Sequence, residues 1–141
     1  MIKKITLTML MITISATLFA QHQFSVEVTG LVKGRGYVYL GLYNKKNGFL
    51  NENASFANGK VKVAGTVATY IFNDLPAAEY AVAVYQDENN NGKCDRNMIG
   101  YPKEAFGFSK NFKPKLSAPK FDEVKVRVDR LTKTSIALIG N

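Results

Sequence analysis

Asp87, Asn89, Asn91 and Asp95 occupy positions 1, 3, 5 and 9 of the run Asp87-Glu88-Asn89-Asn90-Asn91-Gly92-Lys93-Cys94-Asp95, with Gly92 at position 6. Side-chain oxygens at alternate positions around a glycine are what one turn of chain needs to wrap a hard cation such as calcium. Asp87, Asn89 and Asn91 would bind through their side chains, Lys93 through its backbone carbonyl, and Asp95 directly or through water. Position 12 is Met98, where a helix–loop–helix site carries a bidentate glutamate, and the flanks are not amphipathic helices. The shell would have to be completed from Glu104, Glu88 or a carbonyl further along. With charge only on Asp87 and Asp95 among the side-chain ligands inside the run, affinity is expected to be weak and the ion structural rather than catalytic. The competing reading is a hairpin turn, in which Asn and Asp bond their own backbone and Gly92 takes a positive φ.

A second candidate is the stripe Tyr37, Tyr39 and Tyr43, joined by Tyr101 and Phe108 from the segment Gly100–Ser109. Such a set could bind a small ligand, a sugar or a peptide. It could equally be the second face of a central strand, covered by the loop Asn44–Ala57 with its Phe49 and Phe56. No catalytic residues emerge. His22 is the only histidine and Cys94 the only cysteine, which excludes the usual zinc sets and any Ser-His-Asp or Cys-His arrangement. Nothing pairs the carboxylates Glu79, Asp87, Glu88 and Glu104 for acid–base work. The expectation is a protein that is not an enzyme.

The elements that must position these residues read as strands. Phe24, Val26 and Val28 share one parity, as do Val38, Leu40 and Leu42, then Tyr70 and Phe72, then Tyr80, Val82 and Val84, then Val124, Val126 and Val128. Val61 and Val63 mark another run, and Ile136 with Leu138 the last. Period-two alternation buries one face of a strand and wets the other. The run Ala81–Tyr85 is apolar or small on both parities and should be central. Gly30, Gly34-Arg35-Gly36, Asn44 to Gly48, Asn58-Gly59, Asn73 to Pro76 and Asp129-Arg130 supply turns. Helical periodicity is absent. The fold class expected is all-β, a single antiparallel β-sandwich of about seven strands, immunoglobulin-like. The long stretch Asp87–Lys120 carries few strand signals, which marks it as functional or bound to something.

Residues 1–20 read as an export signal: Lys3 and Lys4, an apolar run from Ile5 to Phe19, and Ala20 before Gln21. That run is short for a membrane span. The domain is then 21–141, enough chain for one modest core. Removing Lys3 and Lys4 from 19 basic residues, against 11 acidic ones, leaves a net charge of +6. The basic residues are dispersed, densest over Lys110, Lys113, Lys115 and Lys120. With export, that argues against nucleic acid and for a protein, glycan or envelope partner in the periplasm or outside the cell, with no transmembrane segment left after cleavage.

Two longer patterns carry a resemblance. One is Asp87-x-Asn89-x-Asn91-Gly92-x-x-Asp95 followed by Gly100-x-Pro102-x-Glu104-x-x-Gly107-Phe108-Ser109. The other is Phe72-x-Asp74-Leu75-Pro76-Ala77-x-x-Tyr80-Ala81-Val82-Ala83-Val84-Tyr85. Together they resemble a bacterial family of exported proteins catalogued as domain of unknown function number 2141. Cys94 and Lys110 depart from its pattern, where a larger apolar residue and Asn are usual. The element Leu75-Pro76-x-x-x-Tyr80 between strands is similar to transthyretin-like and collagen-adhesin-B-type sandwiches. The resemblance implies that fold and no activity.

Overall fold

A computed structural model describes residues 22–140. The export-signal reading of residues 1–20 lies outside the described residues. Among the described residues eight strands form: β1 (His22–Thr29), β2 (Tyr37–Tyr43), β3 (Ala57–Lys62), β4 (Val67–Leu75), β5 (Ala78–Asp87), β6 (Phe106–Phe108), β7 (Val126–Val128) and β8 (Leu131–Ala137). A single helical turn, α1 (Phe121–Val124), precedes β7. Three strands make one sheet in the order β4-β1-β8, and the other runs β3-β2-β5-β6 with β7 also on β5. The sandwich is not wholly antiparallel, because β1 and β8 pair in parallel from Gln23 with Leu131 to Thr29 with Ala137.

Alternation along the strands fills the space between the sheets. Phe24, Val26 and Val28 of β1 meet Val38, Leu40 and Leu42 of β2, with Phe72, Tyr80, Val82, Val84, Val128 and Ile136. All are buried. The opposite parity of β5 is buried too, as its sequence requires. Ala81 lies under Tyr43, Phe106, Phe108, Phe121 and Val124, a second cluster on the outer face of the larger sheet. β5 is central: β2 runs along one edge from Tyr43/Ala81 to Tyr37/Asp87, while β7 and β6 share the other.

Three local expectations change. Asn58-Gly59 is not a turn but lies inside β3, opposite Gly41 and Leu40. Gly59 is needed there for close approach, since a Cβ would stand 2.7 Å from the Tyr70 ring. Next to the expected cleavage point after Ala20, His22 would be a frayed chain end; instead it opens β1 opposite Leu75. The stretch after Asp87 does contain a strand, β6, which is only three residues long and centred on Gly107. A side chain there would collide with Ile136 Cγ2, at 2.7 Å from the missing Cβ.

The crossing from β4 in one sheet to β5 in the other is pinned by Tyr80. Its ring is fully buried and its hydroxyl donates to the Pro76 carbonyl at 2.9 Å. Phe56 packs edge-on against the same ring, 5.6 Å between centroids. Replacing Tyr80 with Phe keeps the ring and strands the Pro76 carbonyl. It should cost about 1–2 kcal/mol, seen as a lower urea midpoint with an unchanged slope.

Candidate functional site

Two neighbouring features grow from the end of β5. One is the Asp/Asn loop that leaves the strand at Asp87. The other is a groove on the outer face of the larger sheet.

Asp87 is fully buried and is the last residue of β5. Its carboxylate accepts the backbone N–H of Asn91 at 3.2 Å and of Gly92 at 2.8 Å. Asn89 Oδ1 accepts the Asn91 N–H at 3.1 Å, and Asn91 Oδ1 the Lys93 N–H at 2.9 Å. The chain turns sharply where Asn90 and Gly92 take positive φ. On the far side, the side-chain amides of Asn89 and Asn91 both donate to the Asp95 carboxylate, at 2.8–2.9 Å. Those bonds hold the half-buried Asp95 carboxyl below its ordinary value.

A short hairpin then carries the chain back. Lys103 N–H donates to the Asp95 carbonyl and Asn97 N–H to that of Tyr101, both at 2.8 Å. Asn97 Oδ1 accepts from the backbone of Ile99 and Tyr101 at the tip. Beyond it, Gln86 N–H donates to the Ala105 carbonyl and extends the β5–β6 ladder. Glu104 is thereby delivered to the loop. Its Oε2 accepts the Asp95 N–H at 3.2 Å, while Oε1 is buried with no hydrogen-bond partner. Burial, with Asp87 and Asp95 adding like charge, pushes the Glu104 carboxyl above its ordinary value, against the backbone N–H groups of Asp95 and Glu88, which pull it back down.

Of the six residues expected at an ion, Asp87, Asn89, Asn91 and Asp95 are thus joined by hydrogen bonds, Lys93 by its backbone N–H, and Glu104 through the Asp95 backbone. Among the described residues, no three His, Cys, Asp or Glu side chains already converge at metal-ligand spacing. Glu88, the other acidic candidate, is engaged with Arg35 at 3.3 Å.

The groove has a volume of about 720 Å³. Its floor is the outward parity of β2, β5 and β6: Tyr39, Gly41, Tyr43, Ala83, Tyr85 and Phe108. Ile99, Tyr101 and Pro102 wall it on the hairpin side, Leu116 on the other. Tyr39 and Tyr85 stack at 5.3 Å with rings 8° apart, and Tyr101 meets Phe106 edge-on at 5.4 Å. So Tyr39, Tyr43, Tyr101 and Phe108 share one cavity. Tyr37 does not line it: that half-buried ring sits under the Lys60 ammonium, 4.2 Å from its centroid. Nor is the stripe an open face, for Tyr43 is 6% exposed and packs edge-on against Phe49 of the covering loop. Tyr85 and Leu116 join the lining without having been expected there, and Phe106, expected only to pack its loop onto the sandwich end, joins them; the outward parity of the Ala81–Tyr85 run held the signal for Tyr85.

Cys94 faces the groove half-buried, and burial pushes its thiol up to about 11. At pH 8 it should alkylate about 100-fold more slowly than an ordinary cysteine, because the thiolate is the reacting form. Mass-spectrometric timing of iodoacetamide labelling checks this. Glu104 yields a pH effect of definite sign. Its folded pKa lies above the ordinary 4.5, so its contribution to stability is complete below that value and is lost as pH rises through the folded pKa. In chelator, the native protein should lose stability over that window, and Glu104→Gln should flatten the loss. Urea midpoints from pH 4 to 8 measure it.

Among the described residues no helix is long and apolar enough to cross a membrane. Neither a curated protein nor a solved structure matches the chain. One family model does, over residues 26–136, from the second half of β1 almost to the end of β8. The match takes in both sheets, the Asp/Asn loop and Glu104, and the chain belongs to that family, described as an uncharacterized protein conserved in bacteria, DUF2141.

Proposed function

We propose that this domain is a non-catalytic binding module of the bacterial periplasm or cell exterior, and that the groove over β2, β5 and β6 is where it binds. The observation carrying the reading is that groove of about 720 Å³, floored by aromatic side chains on a rigid central sheet. Pockets of this size with apolar walls and few polar groups suit small molecules. The export signal read in residues 1–20 supplies the location. Binding without chemistry accords with the surroundings. The one thiol at the groove is held protonated, and its charged lining groups are Glu52, Arg96 and Lys115.

The lining also favours one ligand class over another. Sugars need several convergent hydrogen-bonding side chains; Glu52, Asn58, Arg96, Lys115 and Ser117 are present here, but aromatic and aliphatic surface predominates. Ile99 and Leu116 stand 89% and 102% exposed at the rim, beside Met98 at 105%. Exposed apolar groups around a cavity mark a place where something apolar docks. A small, largely apolar molecule, with an acidic group for Arg96 or Lys115, fits better than a glycan.

Anilinonaphthalene sulfonate, which is apolar, planar and anionic, is a suitable probe. It should bind one per chain with enhanced emission. Ala83→Trp, which fills the floor, should weaken it at least 10-fold, and long-chain carboxylates should displace it. An unchanged response in Ala83→Trp, with native circular dichroism retained, would remove the groove as the binding place. Displacement by oligosaccharides alone would instead favour the glycan reading.

A further inference from the structure

We propose that the loop Asp87–Asp95, closed by Glu104, binds one calcium-type cation. The loop alone would not carry this, because every hydrogen bond within it also belongs to a plain Asx-rich turn. Glu104 is the independent observation. It is 8% exposed, its Oε2 touches the loop at the Asp95 N–H, and its Oε1 is buried with no partner. Buried carboxylate oxygens are almost always satisfied, and one left orphaned at a loop that also carries Asp87 and Asp95 calls for a positive charge. The cations near the loop do not provide it. Lys93, Arg96 and Lys103 are exposed, and the Arg96 guanidinium donates instead to the Gly100 carbonyl at 3.1 Å.

The backbone is already arranged for an ion. Asp87, Asn89 and Asn91 each accept backbone N–H groups from residues further round the turn, which holds their oxygens to its inside. Oxygens at positions 1, 3 and 5, a carbonyl at 7, and a carboxylate at 9 need one more acidic group to complete a calcium shell. Met98 at position 12 cannot serve. The hairpin from Asp95 to Glu104 brings that group from nine residues beyond position 9, by folding back rather than by continuing a helix. An ion would replace the amide groups of Asn89 and Asn91 as the partners of Asp95, and would give Glu104 Oε1 its missing counter-charge. Three carboxylates with flexible, mixed oxygen donors suit calcium rather than magnesium, which demands a tight octahedron and keeps its water.

The test uses the whole protein freed of metal with chelator. Calorimetric titration with calcium chloride should show one ion per chain, bound at least 10-fold more tightly than magnesium. Terbium should show tyrosine-sensitised emission that calcium competes away. The unfolding midpoint should rise by about 5 °C or more when calcium is a hundredfold over its dissociation constant. Glu104→Gln and Asp95→Asn should each weaken binding at least 10-fold, while Glu88→Gln, whose carboxylate is paired with Arg35, should not. Asp95 is less buried than Glu104, so its variant keeps the test sound if Glu104→Gln fails to fold. Absence of heat and of terbium emission, equal preference for magnesium, or calcium affinity untouched in a folded Glu104→Gln would each overturn the proposal.

Discussion

Burial of β5 on both faces is the constraint from which the rest of this structure follows. A strand buried on one side alternates apolar with polar. Ala78–Asp87 does not: Tyr80, Val82 and Val84 fill the space between the sheets, while Ala81, Ala83 and Tyr85 face the opposite cluster. The small outward residues leave room, and β6, α1 and the long connections close over that room incompletely. Phe106, Phe108, Phe121 and Val124 cover Ala81. Over Ala83 the cover stops, and the space left is the groove.

Polar groups at the ends of β5 are managed by side chains chosen for single tasks. Gln86, fully buried at the end of the inward parity, donates to the carbonyls of Val32 and Arg35 and accepts the Val32 N–H. It thereby ties the β1–β2 connection to the core. Gly36 in that connection approaches so close that a Cβ would overlap the Asp87 carbonyl oxygen, 1.7 Å away. Ser109, also fully buried, donates to the Val124 carbonyl at 2.6 Å and accepts the Val82 N–H, joining α1 to β5. Each is a buried polar group with its partners made, which keeps its desolvation from counting against the fold. Glu104 Oε1 is the exception among the described residues, and it sits at the loop rather than in the core.

Much of the fold was legible because period two survives wherever a strand has one wet face. β1, β2 and β4 were readable on those grounds, and the two-sided apolar pattern marked β5 as central. The failures are equally physical. β6 is invisible to a periodicity argument, since three residues show less than two periods and Gly107 gives no inward side chain. It exists because the Phe106 N–H and carbonyl exchange hydrogen bonds with Ile139, and because Gly107 lets β8 approach. Asn58-Gly59 has the composition of a turn, yet it lies in β3 because the Tyr70 ring needs the space over Gly59. Both are tertiary demands that override local preference. The parallel pairing of β8 with β1 is non-local and leaves no mark on either strand's own pattern.

The site was legible in chemistry but not in connectivity. Alternate oxygens around Gly92 announced the turn, and the structure bends there as those residues require. What spacing could not decide was which acidic group closes it. Glu88 is nearer in sequence, but it follows Asp87 with the opposite parity and reaches Arg35 instead. Glu104 is remote in sequence, but it lies two residues before Phe106. The ladder pairs Phe106 with Tyr85, and two steps along β5 from Tyr85 is Asp87. Antiparallel register therefore brings Glu104 alongside Asp87 whatever the hairpin between them does. The placement of the third carboxylate is a property of the sheet, and the loop inherits it.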